Sequence, residues 1–306
     1  MRGPNWMHRA PRLLLAFLLA SGAATVQPKN RLLAAQSLGT PGQPPQATLQ
    51  PASAKTPDIP FADYEFQTED QLLVLANQSR QQAGAPLLKL DAGLSQAARK
   101  HALAMFEANR LSHQFDGEPS LPVRLAAMTK LQLDQEGENV ALDYDAVNGH
   151  QHLMLSPPHR ANLLNPAYNV VGLGVVRSGD RLFIVQDFGH ALRTYSPAEV
   201  KDRIAQAVSQ MRHQNRLPDL PRRDLVVADE AACSMAQADK LGTSPVQKLA
   251  ERATVLTYTS LHPESLPAES AHAVASHNLH SVSVGACYSR TETYPTGVYW
   301  VVLSLE

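Results

Sequence analysis

The chain is poor in several things, and each shortage removes a class of protein. Two cysteines in 306 residues are too few for a disulfide scaffold, a thiolate zinc finger or an iron–sulfur cluster, so burial must hold the core. No charge dominates: 27 Lys and Arg face 28 Asp and Glu. Chains that work on phosphate backbones carry a basic excess, so nucleic acid is not an expected partner. Aromatics make up only 6%, which leaves little for stacking on sugars. Beyond the N-terminus no run is apolar and long enough to cross a membrane. What is present, 44% hydrophobic and 18% charged residues, supports a packed core.

The N-terminus carries Arg2, Arg9 and Arg12, an apolar run from Leu13 to Ala20, and small residues Ser21 to Ala24. A basic end, a short apolar centre and a small-residue exit predict a signal peptide over 1–24. An uncleaved anchor is the alternative, but about eight to twelve apolar residues are short for roughly 30 Å of hydrocarbon. No cysteine follows the run, which excludes a bacterial lipoprotein. Residues 25–60 then hold seven of the 22 prolines and only four charges, Lys29, Arg31, Lys55 and Asp58. That composition predicts a disordered, proline-rich linker. The expected location is secreted or periplasmic.

The remaining chain contains one pattern twice. Arg80-Gln81-Gln82-Ala83-Gly84-Ala85-Pro86 is echoed by Arg212-His213-Gln214-Asn215-Arg216-Leu217-Pro218, each between two helical stretches. Leu94, Ala97, Ala98, His101, Met105 and Ala108 make one apolar stripe at helical period, with His101 read as a packed core histidine. Ala231, Ser234, Met235 and Ala238 repeat the spacing. Both copies end in a predicted hairpin, through Val170–Val176 and Leu182–Gln186 in one and Val282–Cys287 and Tyr299–Leu303 in the other. The class is therefore α+β, with helices against antiparallel sheets. The expected domains are 61–195 and a degenerate second copy at 196–306, with Tyr258-Thr259-Ser260 standing where the first copy has Gly137-Glu138-Asn139. Cys233 and Cys287 both fall in the second copy. In an oxidising compartment they can pair, closing a loop of roughly fifty residues and contributing on the order of 4 kcal/mol; two reduced thiols are the alternative.

Histidines concentrate in the first copy: His113, His150, His152 and His159 lie within 47 residues. Three ordered motifs around them, Leu111-Ser112-His113, Gly137-Glu138-Asn139-Val140-Ala141 and Ser156-Pro157-Pro158-His159-Arg160-Ala161-Asn162-Leu163-Leu164, resemble the CAP superfamily of cysteine-rich secretory proteins, antigen 5 and pathogenesis-related proteins, in its bacterial SCP-like extracellular branch. The resemblance covers about 66–190. It implies a three-layer α-β-α sandwich and a cleft with two histidines and two glutamates that holds a divalent metal in some members. His113, Glu138 and His159 match three of these. The second glutamate has no clear match, and His150 or His152 occupies its neighbourhood.

Two neutral imidazoles and a carboxylate suit zinc, with a position left open for water. Ser156 can cap a helix that Pro157 begins, which puts His159 in its first turn, where the helix dipole disfavours imidazolium. His150 and His152, two apart on a helix, point about 200° apart, so His152 alone is taken as an auxiliary ligand. Glu138 is the candidate catalytic base. There is no G-x-S-x-G elbow, and Ser112 beside His113 does not make a dyad. The favoured function is a secreted binding module whose His113/Glu138/His159 cleft takes a divalent metal or a small ligand, with lipid or protein as further partners and a monomer as the expected state. A metal-dependent peptide or ester hydrolase and a structural envelope protein without a working site are the alternatives.

Overall fold

The computed structural model describes residues 64–306. The signal peptide expected at 1–24 and the linker expected at 25–60 lie outside these residues.

The first half runs α1 (Phe66–Gln82), β1 (Lys89–Leu90), α2 (Ala92–Ala108), α3 (Leu121–Met128), β2 (Leu133–Asp143), α4 (Ala146–Leu155), α5 (Pro157–Leu163), β3 (Val170–Ser178) and β4 (Arg181–Ala191). Its sheet has the order β1-β3-β4-β2, antiparallel except for the short parallel β1–β3 pair. Period-two alternation sends Leu182, Ile184 and Phe188 to a core shared with Leu72 and Ala76 of α1 and Leu153 of α4. Phe183 and Val185 go to the other face, against Ala98, Ala102 and Met105 of α2. Helices thus cover both faces. Helix α2 lies so close to β3 that a Cβ on Gly172 or Gly174 would strike its backbone at Leu94 and Ala98, so both positions need glycine for lack of room.

The second half runs α6 (Pro197–Gln214), α7 (Val226–Ala238), α8 (Ser244–Ala250), β5 (Thr254–Ser260), α9 (Ser270–Val274), β6 (Val282–Ser289) and β7 (Val298–Leu305). Its antiparallel sheet has the order β5-β7-β6. Val200, Ile204 and Val208 of α6 pack on one face, and Ala231, Ala232 and Met235 of α7 on the other. Gly137–Asn139 pair with Phe188–Gln186, and Tyr258–Ser260 pair with Val301–Tyr299.

Two arginines hold the corners of these units. Arg80, fully buried, donates to the carbonyls of Pro86, Leu163, Asn165 and Tyr168 at 2.6–3.0 Å. Arg212 is buried too and donates to those of Pro218, Val274 and Ser276 at 2.7–3.0 Å. The halves are joined by Arg290, whose guanidinium donates to the carbonyls of Ala126, Thr129 and Leu131, and by the Thr296 hydroxyl on the Leu133 carbonyl at 2.9 Å. Cys233 on α7 and Cys287 on β6 form a disulfide.

Two stability predictions follow from these anchors. Arg80→Met strands four carbonyls, two of whose bonds are fully buried, and should cost about 3 kcal/mol or more in urea unfolding; a loss under 1 kcal/mol would show that water or local shifts replace the guanidinium. Replacing Cys233 and Cys287 together by serine should cost about 2–5 kcal/mol, read as a lower midpoint under non-reducing conditions and no difference from the parent once both are reduced.

Candidate functional site

The motif residues meet at the free edge of the first sheet, on β2. Asn139, fully buried, donates to the His159 carbonyl at 3.1 Å and to Gln186 Oε1 at 3.2 Å. Asn162 donates back to the Glu138 carbonyl and to Asn139 Oδ1. These amides clip α5 to the strand and so fix where His159 stands. A Cβ on Gly137 would run into the Tyr168 hydroxyl and Asn162, which explains the glycine before Glu138.

Glu138 is the hub, and both of its oxygens are engaged. Oε1 accepts from His113 Nδ1 at 2.9 Å and Oε2 accepts from Arg124 of α3 at 2.5 Å. A carboxylate that accepts at Nδ1 places the His113 proton there and leaves Nε2 with its lone pair toward solvent, since the His113 side chain is 56% exposed. The His159 ring lies 6.5 Å from that of His113, centroid to centroid. Burial, and secondarily the neighbouring His113, holds His159 below the usual imidazole pKa. The sequence argument reached the same direction through the helix dipole; Ser156 makes no side-chain cap on α5, and burial is the larger cause.

Behind this pair lies a second layer. His101, expected as plain core, is buried, and its Nε2 donates to the Ser112 carbonyl at 2.8 Å, which secures the turn carrying His113. Its Nδ1 stands 2.7 Å from Glu118 Oε1 and 2.6 Å from Arg124 Nη1, and Nε2 is 3.8 Å from Glu138. Arg124 also donates to Glu118 at 2.8 Å. Burial pushes the Glu118 carboxyl up, but the Arg124, Phe115 backbone and His101 bonds outweigh it and leave its pKa lowered. Asp187 of β4 faces Glu138 across the rung and is almost wholly buried. Burial first, then the Glu138 charge, raises its pKa well above the ordinary value, so it sits protonated against its neighbour.

Arg124, Glu118 and Asp187 did not emerge from the sequence reading. Asp187 had a signal, an acidic residue on a strand whose preceding run Leu182–Val185 is wholly apolar; Arg124 had another, a lone cation in the apolar stretch Leu121–Met128. His152 is not part of the group. Its Nδ1 is 2.6 Å from Asp143 at the far end of β2. His150 faces inward, with Nε2 2.8 Å from the Ser79 hydroxyl and Nδ1 buried without a partner.

The donor set decides what ion would suit the site. Among the described residues no group of three or more His, Cys, Asp or Glu stands ready to hold a metal. With both Glu138 oxygens taken, the donors left are His113 Nε2 and His159, with Glu138 as an outer orienting group. That fits an ion held by two imidazoles and completed by water.

The sequence profile of the cysteine-rich secretory protein (CAP) family matches residues 73–188. That segment is a CAP domain. Two Bacillus subtilis (strain 168) proteins are similar over it. YkwD is 31% identical over 112 residues, 36% of this chain and 43% of YkwD. The membrane protein YlbC is 34% identical over 122 residues, 40% of this chain and 34% of YlbC. The chain thus spans less than half the length of either relative. The extracellular SCP-domain protein of Bacillus anthracis str. Ames has 31% identity over 41% of each chain, with a TM-score of 0.37. Among the described residues no helix of the CAP domain or the second half is long and apolar enough to cross a membrane.

His150 supplies a pH test that leaves the site untouched. Burial lowers its pKa from the usual 6.5, so the unfolded chain takes up this proton before the folded one as pH falls. Its contribution is complete above about pH 6.5 and shrinks as pH drops toward the lowered native value. His150→Gln should flatten the loss of stability between pH 7 and pH 5 measured by urea midpoints; an unchanged slope would remove His150 as the cause.

Proposed function

We propose that this is a secreted binding protein whose CAP domain presents a His113–His159 pair to a divalent cation, zinc by preference, or to a small ligand that such a pair can hold. The observation that carries the reading is the fixed tautomer. Glu138, clamped by Arg124, takes the His113 proton at Nδ1 and leaves Nε2 free beside His159, which burial keeps neutral. When bound, a zinc ion would supply Lewis acidity and a site for exchangeable water. The chain's own part is to orient two imidazoles and, by burial, to hold His159 toward its neutral form. Glu138 is bound on both oxygens, so it acts as a positioning group in this reading and not as a base. The N-terminal segment and the disulfide support an oxidising, extracytoplasmic setting.

The same reading takes the second half as a degenerate copy of the CAP unit. The order β6-β7-β5 parallels β3-β4-β2. Arg212 parallels Arg80 in its carbonyl partners, and Gly285 under Ala228 parallels Gly174 under Ala98. Helices α2 and α7 both end on a left-handed residue, Asn109 and Asp239. The copy has lost the chemistry: Val255 and Ser304 occupy the rung of Glu138 and Asp187.

Calorimetric titration of the purified full chain with zinc tests the site. One equivalent should bind, at least tenfold more weakly in His113→Ala and in His159→Ala, and about 10–100-fold more weakly in Glu138→Gln. No saturable binding, or equal binding by the histidine variants, would overturn the cation reading.

A further inference from the structure

The two halves differ in the hairpin that closes each sheet. In the CAP domain β3 and β4 are joined by Gly179 and Asp180 alone. In the second half the link from β6 to β7 runs from Arg290 to Gly297. That loop is shaped from within its own half. Asp239, the left-handed residue that ends α7, accepts from the Thr291 hydroxyl at 2.7 Å and from the Thr293 N–H at 2.8 Å. The Tyr294 ring meets Trp300 edge-on. Thus held, the loop reaches the CAP domain over one short stretch, 126–133. Arg290 donates to the carbonyls of Ala126, Thr129 and Leu131 at 2.7–2.9 Å. The Thr296 hydroxyl donates to the Leu133 carbonyl, and the Gln132 amide to that of Gly297 at 3.4 Å.

That stretch contains the end of α3, a helix with little else to hold it. It has eight residues, Ser120 gives its start no side-chain cap, and Leu125 is its one buried residue. A helix so short is not stable by itself. Its last carbonyls have no partner inside the helix, and Arg290 brings them a charged donor at the negative end of the helix dipole. Two residues before Ala126 on the same helix, Arg124 donates to Glu138 at 2.5 Å and to Glu118 at 2.8 Å. Glu138 in turn fixes the His113 proton at Nδ1. Contacts therefore run without a gap from the second half to the histidine pair. A displacement of α3 on the order of 1 Å would take the Arg124–Glu138 bond to the limit of hydrogen-bond length.

We infer that Arg290 is a positioning residue for the His113–His159 site: by capping α3 from the second half, it keeps Arg124 on Glu138 and so keeps His113 in one tautomer. The second half is then a brace for the CAP site. The inference rests on the reading of that site given above.

The His113 tautomer can be read from the imidazole nitrogen NMR shifts of the zinc-free full chain, apart from any metal affinity. The parent should show the Nδ1–H form alone. Arg290→Met removes every donor; it should show both tautomers and bind zinc about 3–10-fold more weakly, a smaller loss than for Glu138→Gln because it acts through two further residues. Arg290→Gln keeps one donor, should fall between the two, and decides the matter if Arg290→Met does not fold. Thr296→Val breaks another bond between the halves without touching α3 and should keep the parental tautomer. A folded Arg290 variant with the parental tautomer, or the same change in Thr296→Val, would overturn the inference and leave the zinc site standing. Mixed tautomers in the parent would overturn this inference together with the fixed tautomer behind it. A parent with one tautomer and no zinc binding would remove the cation reading alone.

Discussion

A guanidinium with no carboxylate beside it sets the frame on which the rest depends. Arg80 directs its donors to four backbone carbonyls, one on the last residue of α5 and two in the turn between α5 and β3. That turn has no regular partner for its carbonyls, and buried carbonyls must find one. Only a long, forked, permanently charged side chain can reach several acceptors at once from a single helical position. Burial lowers the Arg80 pKa, yet the group remains the arginine it must be. By closing the turn it fixes the end of α5, and α5 carries His159.

The second constraint is electrostatic. Acidic groups Glu118, Glu138 and Asp187 crowd one corner of the sheet, and a single arginine, Arg124, serves two of them. One cation cannot neutralise three crowded carboxylates, and burial pushes the most enclosed of them, Asp187, furthest toward its protonated form. The order of burial therefore determines the order of charge: Asp187 neutral at the back, Glu138 in the middle, His113 at the surface. The result is a rigid imidazole whose exposed nitrogen is fixed by groups that solvent barely reaches.

Much of the architecture is readable from periodicity. The stripe from Leu94 to Ala108 is α2, the two Val-rich runs are β3 and β6, and the echo of Arg80 in Arg212 marks the same kind of corner. The meeting of His113, Glu138 and His159 is not readable that way, because separations of about twenty residues carry no geometry; resemblance alone suggested it. His101 shows the limit from the other side. Its stripe position places it in the core, but stripe position says nothing of Glu118, which arrives from a turn 17 residues later. His152 fails for the same reason in reverse: it is near in sequence and is drawn away by Asp143. Asp187 and Arg124 were visible as charges in or beside apolar runs, a signal that reports a buried polar network without naming its members.

The two halves also show how sheets covered by helices on both faces can differ in how their corners are filled. A sheet covered by helices on both faces has its weakest packing where a short helix meets a strand start, because neither element has enough length to fill the corner alone. In the CAP domain that corner is closed by Leu94, Leu125 and Leu133, and the polar layer around Glu138 lies on the β2 edge. In the second half Val255 pairs with Ser304 near the start of β5, and no carboxylate pair like Glu138 and Asp187 stands on that rung. There α8 turns Val246 and Leu249 to the core beside Trp300 and leaves Lys248 exposed to water. Two sheets covered by helices on both faces are thus closed differently, one beside a buried polar layer and one by apolar side chains.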